Sequence, residues 1–245
     1  MFRATELSGF GGGGDSEFSC DAVNFDGSND YLTMSAWTGT HSSNELLVSY
    51  WTQKGADGDW THIGGTDGRH NIVWAGNKWF TGMYTSGNAR LYRTFSAGTY
   101  LTAATAWLHI LYSINAGTPY LYINDTDVLS DLQSDDGTVD FDLAANTIGA
   151  NVAGNTKMNG DMAEIYYNAG ASLDLSDAAN RAKFAVDGKP IFLGLDGSLP
   201  TGSAPVVYLH QDAGEAPANF KDNKGTGGDY TVVGTLTTSS TQPSY

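Results

Sequence analysis

The sequence predicts an all-β chain: a sandwich or barrel of short strands, with one short helix and a β-rich C-terminal extension. Three observations carry this. Glycine accounts for 31 of 245 residues, nearly twice the usual share of about 7%. The acidic residues are 22 Asp against 5 Glu, and Asp favours turns and caps where Glu favours helix surfaces. Runs rich in β-branched and aromatic residues recur at close spacing, almost all separated by Gly, Asn, Asp or Ser, the pattern of strands joined by tight turns. An apolar fraction of 40% supplies a sizeable core.

Residues 1–19 centre on Gly11 to Gly14. A glycine run has high chain entropy and nothing to pack, so this segment reads as a flexible arm. Phe2, Leu7, Phe10 and Phe18 are its apolar anchors, expected to order only against a partner surface. Residues 20–175 hold most of the strands. Val23 to Phe25, the Asp26-Gly27 turn and Tyr31 to Met34 read as strand, turn, strand. Further strands are expected at Glu45 to Trp51, Asn71 to Trp74, Trp79 to Tyr84, Arg90 to Arg93, Trp107 to Ile114, Thr118 to Asn124, Asn146 to Gly149 and Asp161 to Tyr167. Trp107, Ile110, Phe141, Ile148 and Ile165 are the expected core, and His109 reads as a packed sheet residue. Residues 176–245 open with the one helical pattern, Ser176 to Val186, capped by Ser176 and ended by Asp187-Gly188 and Pro190. Strands at Ile191 to Gly194, Pro205 to His210 and Tyr230 to Leu236 follow.

Four of these stretches resemble, in order, laminin-G-like members of the concanavalin-A-like lectin/glucanase superfamily. They are Val23 to Leu32, Trp107-Leu108-His109, Leu121-Tyr122-Ile123-Asn124, and Ile148-Gly149 followed by Asn159 to Asn168. The resemblance covers about residues 20 to 175 and implies a jelly roll of two antiparallel sheets. Within the extension, Ser176 to Phe184, Asp187 to Pro190, Gly202 to Leu209 and Gly227 to Leu236 resemble the tail of phage virion proteins in which such a domain is followed by a short region of this kind.

The charge of −15 repels phosphate backbones and anionic lipid heads, which disfavours nucleic-acid and membrane-surface roles. The start of the chain has no apolar run resembling a signal peptide, and no apolar stretch approaches 18 residues, so no membrane insertion is expected. Cys20 is alone, which rules out an intrachain disulfide. Hydrolases of the β-glucanase branch place two Glu on one strand face, but Glu6, Glu17, Glu45, Glu164 and Glu215 are dispersed. No catalytic residue is therefore assigned. Asp57 and Asp59 flank Gly58 beside Trp60. Together with Trp79 they are the candidate ligand residues, since exposed rings stack on sugars and carboxylates hold hydroxyls. Asp125, Asp127, Asp135 and Asp136 are the candidate calcium ligands, loop carboxylates of the type calcium takes; no cofactor is required.

The leading expectation is a non-enzymatic structural protein of a tailed-phage virion, as a capsid decoration, head-fibre or tail-fibre component. It would be made in the host cytoplasm and contact other virion proteins and sister subunits. The alternative is a carbohydrate-binding receptor recognising host-surface glycans, with a glycan hydrolase a distant third.

Overall fold

The computed structural model describes residues 20–37, 42–43, 45–55, 60–65, 70–75, 78–84, 90–96, 106–115, 118–128, 139–140 and 145–243. For 42–43, 60, 70–71, 73–75, 78–84, 90–96 and 139–140 the description is confined to the backbone. In chain order the first strands are β1 (Val23–Asp26), β2 (Tyr31–Ser35), β3 (Ser42–Ser43), β4 (Leu46–Lys54), β5 (Trp60–Gly65), β6 (His70–Ala75), β7 (Lys78–Tyr84) and β8 (Arg90–Ser96). Next come β9 (Trp107–Asn115), β10 (Thr118–Ile123), β11 (Thr126–Asp127), β12 (Val139–Asp140), β13 (Ala145–Ile148) and β14 (Asn159–Ala169). The helix α1 (Ala178–Arg181) precedes β15 (Ala185–Val186), β16 (Lys189–Pro190), β17 (Val207–Leu209), β18 (Thr231–Val233) and β19 (Thr237–Thr238).

Two antiparallel sheets make the sandwich. One has the order β11-β10-β9-β4-β14-β1-β19, with β17 also on β14; the other runs β18-β2-β13-β5-β6-β7-β8. Phe25, Tyr50, Ile110, Tyr112, Ile165 and Tyr167 of the first sheet meet Leu32, Ile63, Ile72 and Ile148 of the second in one buried cluster. Gly149 follows Ile148 because nothing larger fits: its φ is +83, and a Cβ there would lie 2.6 Å from the Phe25 ring.

The eight-stranded sheet is buried on both faces. Leu47, Leu111, Tyr122, Tyr166 and Tyr208 form a second cluster on its outer face, covered by Leu175, Phe184 and Leu193 of the C-terminal segment. This accounts for the uninterrupted burial of β4 from Leu46 to Gln53, since a strand covered twice has no solvent face. The extension also completes both sheets. β17 pairs with β14, β19 with β1 and β18 with β2.

Three expectations are corrected. β1 and β2 form no hairpin: they lie in different sheets. Asp26 Oδ1 accepts from the backbone N–H of Ser28 and Asn29 at 2.7 and 3.0 Å, which stabilises a loop that crosses the sandwich. The helix spans one turn, not Ser176 to Val186. Asp177, not Ser176, caps it, accepting from Ala179 N–H at 2.9 Å. After Arg181 the chain dips to bury Phe184 beside Tyr166 and enters a two-strand hairpin. Trp107 is half-buried on the outer side, its Nε1 donating to Thr241 Oγ1 at 3.3 Å. Ile110, Ile148 and Ile165 lie in the inter-sheet core as expected; Phe141 lies outside the described residues.

Candidate functional site

A cleft of about 330 Å³ opens on the outer face of the eight-stranded sheet, between β4, β9 and β10 below and the α1-to-β16 segment above. Its floor follows from the register. Trp51 pairs with His109, and their rings stack at 4.8 Å with 20° between planes. Ser49 Oγ and His109 Nε2 are hydrogen-bonded at 2.9 Å, and the His109 backbone N–H donates to Asn124 Oδ1 at 2.8 Å. Burial pushes the His109 imidazole down to about 3, with the nearby Asp125 charge opposing. At neutral pH the ring is therefore uncharged.

Two tight turns shape the mouth. Asn124 and Asp125 have φ +48 and +62, and Asp187 and Gly188 have φ +52 and +74. Both are type I′ geometries, for which Asn, Asp and Gly are the suited residues. Arg181 locks the walls together. Its guanidinium lies 4.5 Å over the Tyr122 ring, Nε donates to the Asp125 carboxylate, and Nη1 donates to the Leu175 and Ser176 carbonyls at 2.8 and 3.2 Å. The cleft thus lies over the buried Trp51–His109 stack, with Asn124 and Asp125 held by hydrogen bonds on one turn and Asp187 on the facing turn. Its size falls at the lower end of small-molecule sites, roughly 300–1,000 Å³.

A second polar constellation lies farther along the same face. The β14–β4 register shifts between Ala163 and Tyr166, and Glu164 occupies the bulge at φ +51. Its carboxylate accepts from Tyr208 OH at 3.1 Å and holds His210 Nδ1, while His210 Nε2 reaches Asp212 at 3.0 Å. Burial opposes charge on His210, but the two carboxylates outweigh it and raise its pKa. Burial, reinforced by Glu164, pushes the Tyr208 phenol well above its ordinary value. Both ring nitrogens of His210 are taken up by carboxylates. This constellation fastens β17 to β14.

The other candidates are dispersed. Trp60 starts β5 opposite Trp74, which is opposite Trp79, which is opposite Phe95. The backbone register thus sets these four in one cross-strand row of the seven-stranded sheet. Asp57 and Asp59 lie outside the described residues, as do Asp135, Asp136 and the arm residues Phe2, Leu7, Phe10 and Phe18. Asp125 is at the cleft mouth, held by Arg181, and Asp127 ends β11 opposite Tyr122. Among the described residues no three His, Cys, Asp or Glu side chains gather as a metal site would need. Arg181, Asp187, Glu164 and His210 were not singled out by sequence reasoning. Glu164 did carry a signal, an isolated acid in the apolar run Met162 to Tyr167. Arg181 carried none, because its partner Asp125 is 56 residues away.

No protein-family model and no curated protein sequence matches the chain. Solved structures do. A putative carbohydrate binding protein from Bacteroides ovatus aligns over 92% of this chain with TM-score 0.56 and 12% identity; the chain spans 61% of that protein. The native heptameric SAP-like pentraxin from Limulus polyphemus aligns over 89% of this chain and 94% of its own, with TM-score 0.52 and 10% identity. Domains LG4-5 of the mouse laminin alpha1 chain align over 64% of this chain and 43% of theirs, with TM-score 0.46 and 13% identity, too low to weigh. At such identities the likeness of the first two speaks for architecture alone, and with the strand order above it shows that the chain folds as a jelly-roll β-sandwich.

Proposed function

We propose that this chain is a carbohydrate-binding module without catalytic activity, and that the cleft beneath α1 is its saccharide site. The observation that carries this is the cleft itself. The neutral Trp51–His109 stack, 3% and 4% exposed, backs the cleft from beneath, and Val186, 46% exposed, brings accessible apolar surface beside Asn124, Asp125 and Asp187. That is the combination of apolar surface and placed hydrogen-bonding groups a pyranose ring requires. The fold shared with the Bacteroides ovatus protein adds support by analogy. The non-catalytic part rests on the acids. Asp125 is bound to Arg181, Glu164 is bound to His210 and Tyr208, and no two Glu lie near each other in sequence. Glu164 and Asp125 are thus taken up in structural contacts, which speaks against either acting in glycoside hydrolysis. Metal is not required in this reading.

The resemblance of Ser176 to Phe184, Asp187 to Pro190, Gly202 to Leu209 and Gly227 to Leu236 to the C-terminal region of phage virion proteins suggests a setting for this binding. On a tailed-phage particle, many copies would give avidity for host glycans even if each site were weak.

A glycan array followed by NMR titration of the best binder tests the proposal. The expected result is saturable binding, with shift changes concentrated at residues 124–125 and 185–188 and at the Trp51 indole. Failure of every glycan to bind, or changes confined to β5–β8, would sink it.

A further inference from the structure

The cleft contains a charge arrangement that bears on which glycans it takes. Arg181 is the one Lys or Arg among the described residues lining it. His109, the other basic side chain there, is held neutral by burial. The guanidinium is heavily engaged: Nε by the Asp125 carboxylate, Nη1 by two backbone carbonyls and its face by Tyr122. Asp177 adds further negative charge nearby. The Arg181 side chain is 16% exposed, whereas that of Asp125 is 71% exposed. What the mouth offers an incoming ligand is therefore the carboxylate and not the cation.

We infer that Asp125 is the specificity-determining residue of the cleft: by holding Arg181 it makes the site accept uncharged sugars and refuse uronates and other anionic glycans. The inference rests on the proposed function. The physical reason is twofold. Sugar hydroxyls donate well to Asp125 and Asp187, because hydrogen bonds to ionised acceptors are about twice as strong as neutral ones. A sugar carboxylate would meet both acids, with Asp127 and Asp174 also close to the Tyr122 wall, and among the described residues lining the cleft the one Lys or Arg is Arg181, already engaged. Discrimination then comes from a repulsive element as well as an attractive one. Asp125 can be neutralised without disturbing the turn, since asparagine tolerates its φ of +62.

The test uses the full chain and matched oligosaccharide pairs, glucose with glucuronate and galactose with galacturonate, titrated calorimetrically at low salt. Wild type should bind the neutral member at least about tenfold more tightly than the acid. Asp125→Asn should raise affinity for the acid by about tenfold, and adding Arg181→Gln should abolish that gain. Asp187→Asn is the control for net charge alone and should give a clearly smaller gain. Equal or better binding of the acid by wild type would overturn the inference, as would equal gains from Asp125→Asn and Asp187→Asn. If wild type binds neither member of any pair, the carbohydrate reading fails. The charge argument then stands or falls on whether glucuronate binds Asp125→Asn in an Arg181-dependent way.

Discussion

Glu164 adopts φ +51 inside β14, a region that costs an ordinary L-residue about 1–2 kcal/mol. Its contacts with His210 and Tyr208 offset that strain. Two consequences belong to this residue. Glu164→Ala and Glu164→Gly should both destabilise by about 3 kcal/mol or more, since either strips His210 Nδ1 of its carboxylate and the buried Tyr208 hydroxyl of its acceptor. Alanine should be the worse by about 1 kcal/mol, the reverse of the usual strand order, because only glycine relieves the positive φ. Urea unfolding measures both, and an alanine variant as stable as the glycine one would mean that the bulge relaxes.

The histidines set opposing pH slopes. His210 is raised in the fold, so its contribution is fully present below the unfolded pKa of about 6.5 and is lost as pH rises through the folded value. His109 and His62 are lowered by burial to about 3 and about 4. Between those values and about 6.5 the unfolded chain binds more protons, so stability rises with pH there. His109→Gln should flatten the acid arm and His210→Gln the alkaline arm of a urea-midpoint profile. An acid arm unchanged by His109→Gln would contradict the burial argument.

At the scale of elements, each strand's worth depends on the face its residues occupy. Ile110 is core on β9, so Ile110→Ala should cost roughly 2–5 kcal/mol. Trp107 begins the same strand but is half-buried on the other side, so Trp107→Ala should cost less than Ile110→Ala, despite removing a larger side chain. Chemical denaturation of the pair checks this, and the opposite order would contradict the placement of β9. The strands themselves were legible because Gly, Asn and Asp bound them: β9 and β10 fall where the alternation of turns and apolar runs puts them. The partnership of β1 and β2 was not legible, because Asp26-Gly27 serves equally as a hairpin turn or, with the Asp26 side chain capping three residues on, as a crossing loop. The helix was over-read because Ala-rich residues 178–185 satisfy helical propensity, while the burial of Phe184 against Tyr166 ends it after one turn. Nor was the cleft visible in sequence. Trp51, His109, Asp125 and Arg181 come from four distant stretches and meet only because β4, β9 and β10 are neighbours under the C-terminal cover.

For the whole molecule, the last segment is structural. β18 and β19 extend one sheet each, and Tyr230, Leu236 and Phe220 enter the inter-sheet core. Deleting residues 230–243 should expose the β1 and β2 edges and give an aggregating or strongly destabilised chain. A truncated chain with an unchanged melting temperature would show that the sandwich is complete without it. Under the proposed non-catalytic role, the intact protein should release no reducing ends from polysaccharides. Enzymatic release would overturn the non-catalytic reading.

Under the proposed carbohydrate-binding role two places are candidates for the site: the cleft under α1, and the cross-strand row of Trp60, Trp74, Trp79 and Phe95 on β5–β8. Val186 lines the cleft and is 46% exposed, so Val186→Trp should obstruct the site at little cost to folding. Calorimetric titration of the array-selected glycan into Val186→Trp and Trp79→Ala, each verified as folded, separates the two directly. Binding weakened about tenfold or more by Val186→Trp and retained by Trp79→Ala is the predicted result. Binding retained by Val186→Trp and lost in Trp79→Ala would contradict the account and move the site to the seven-stranded sheet.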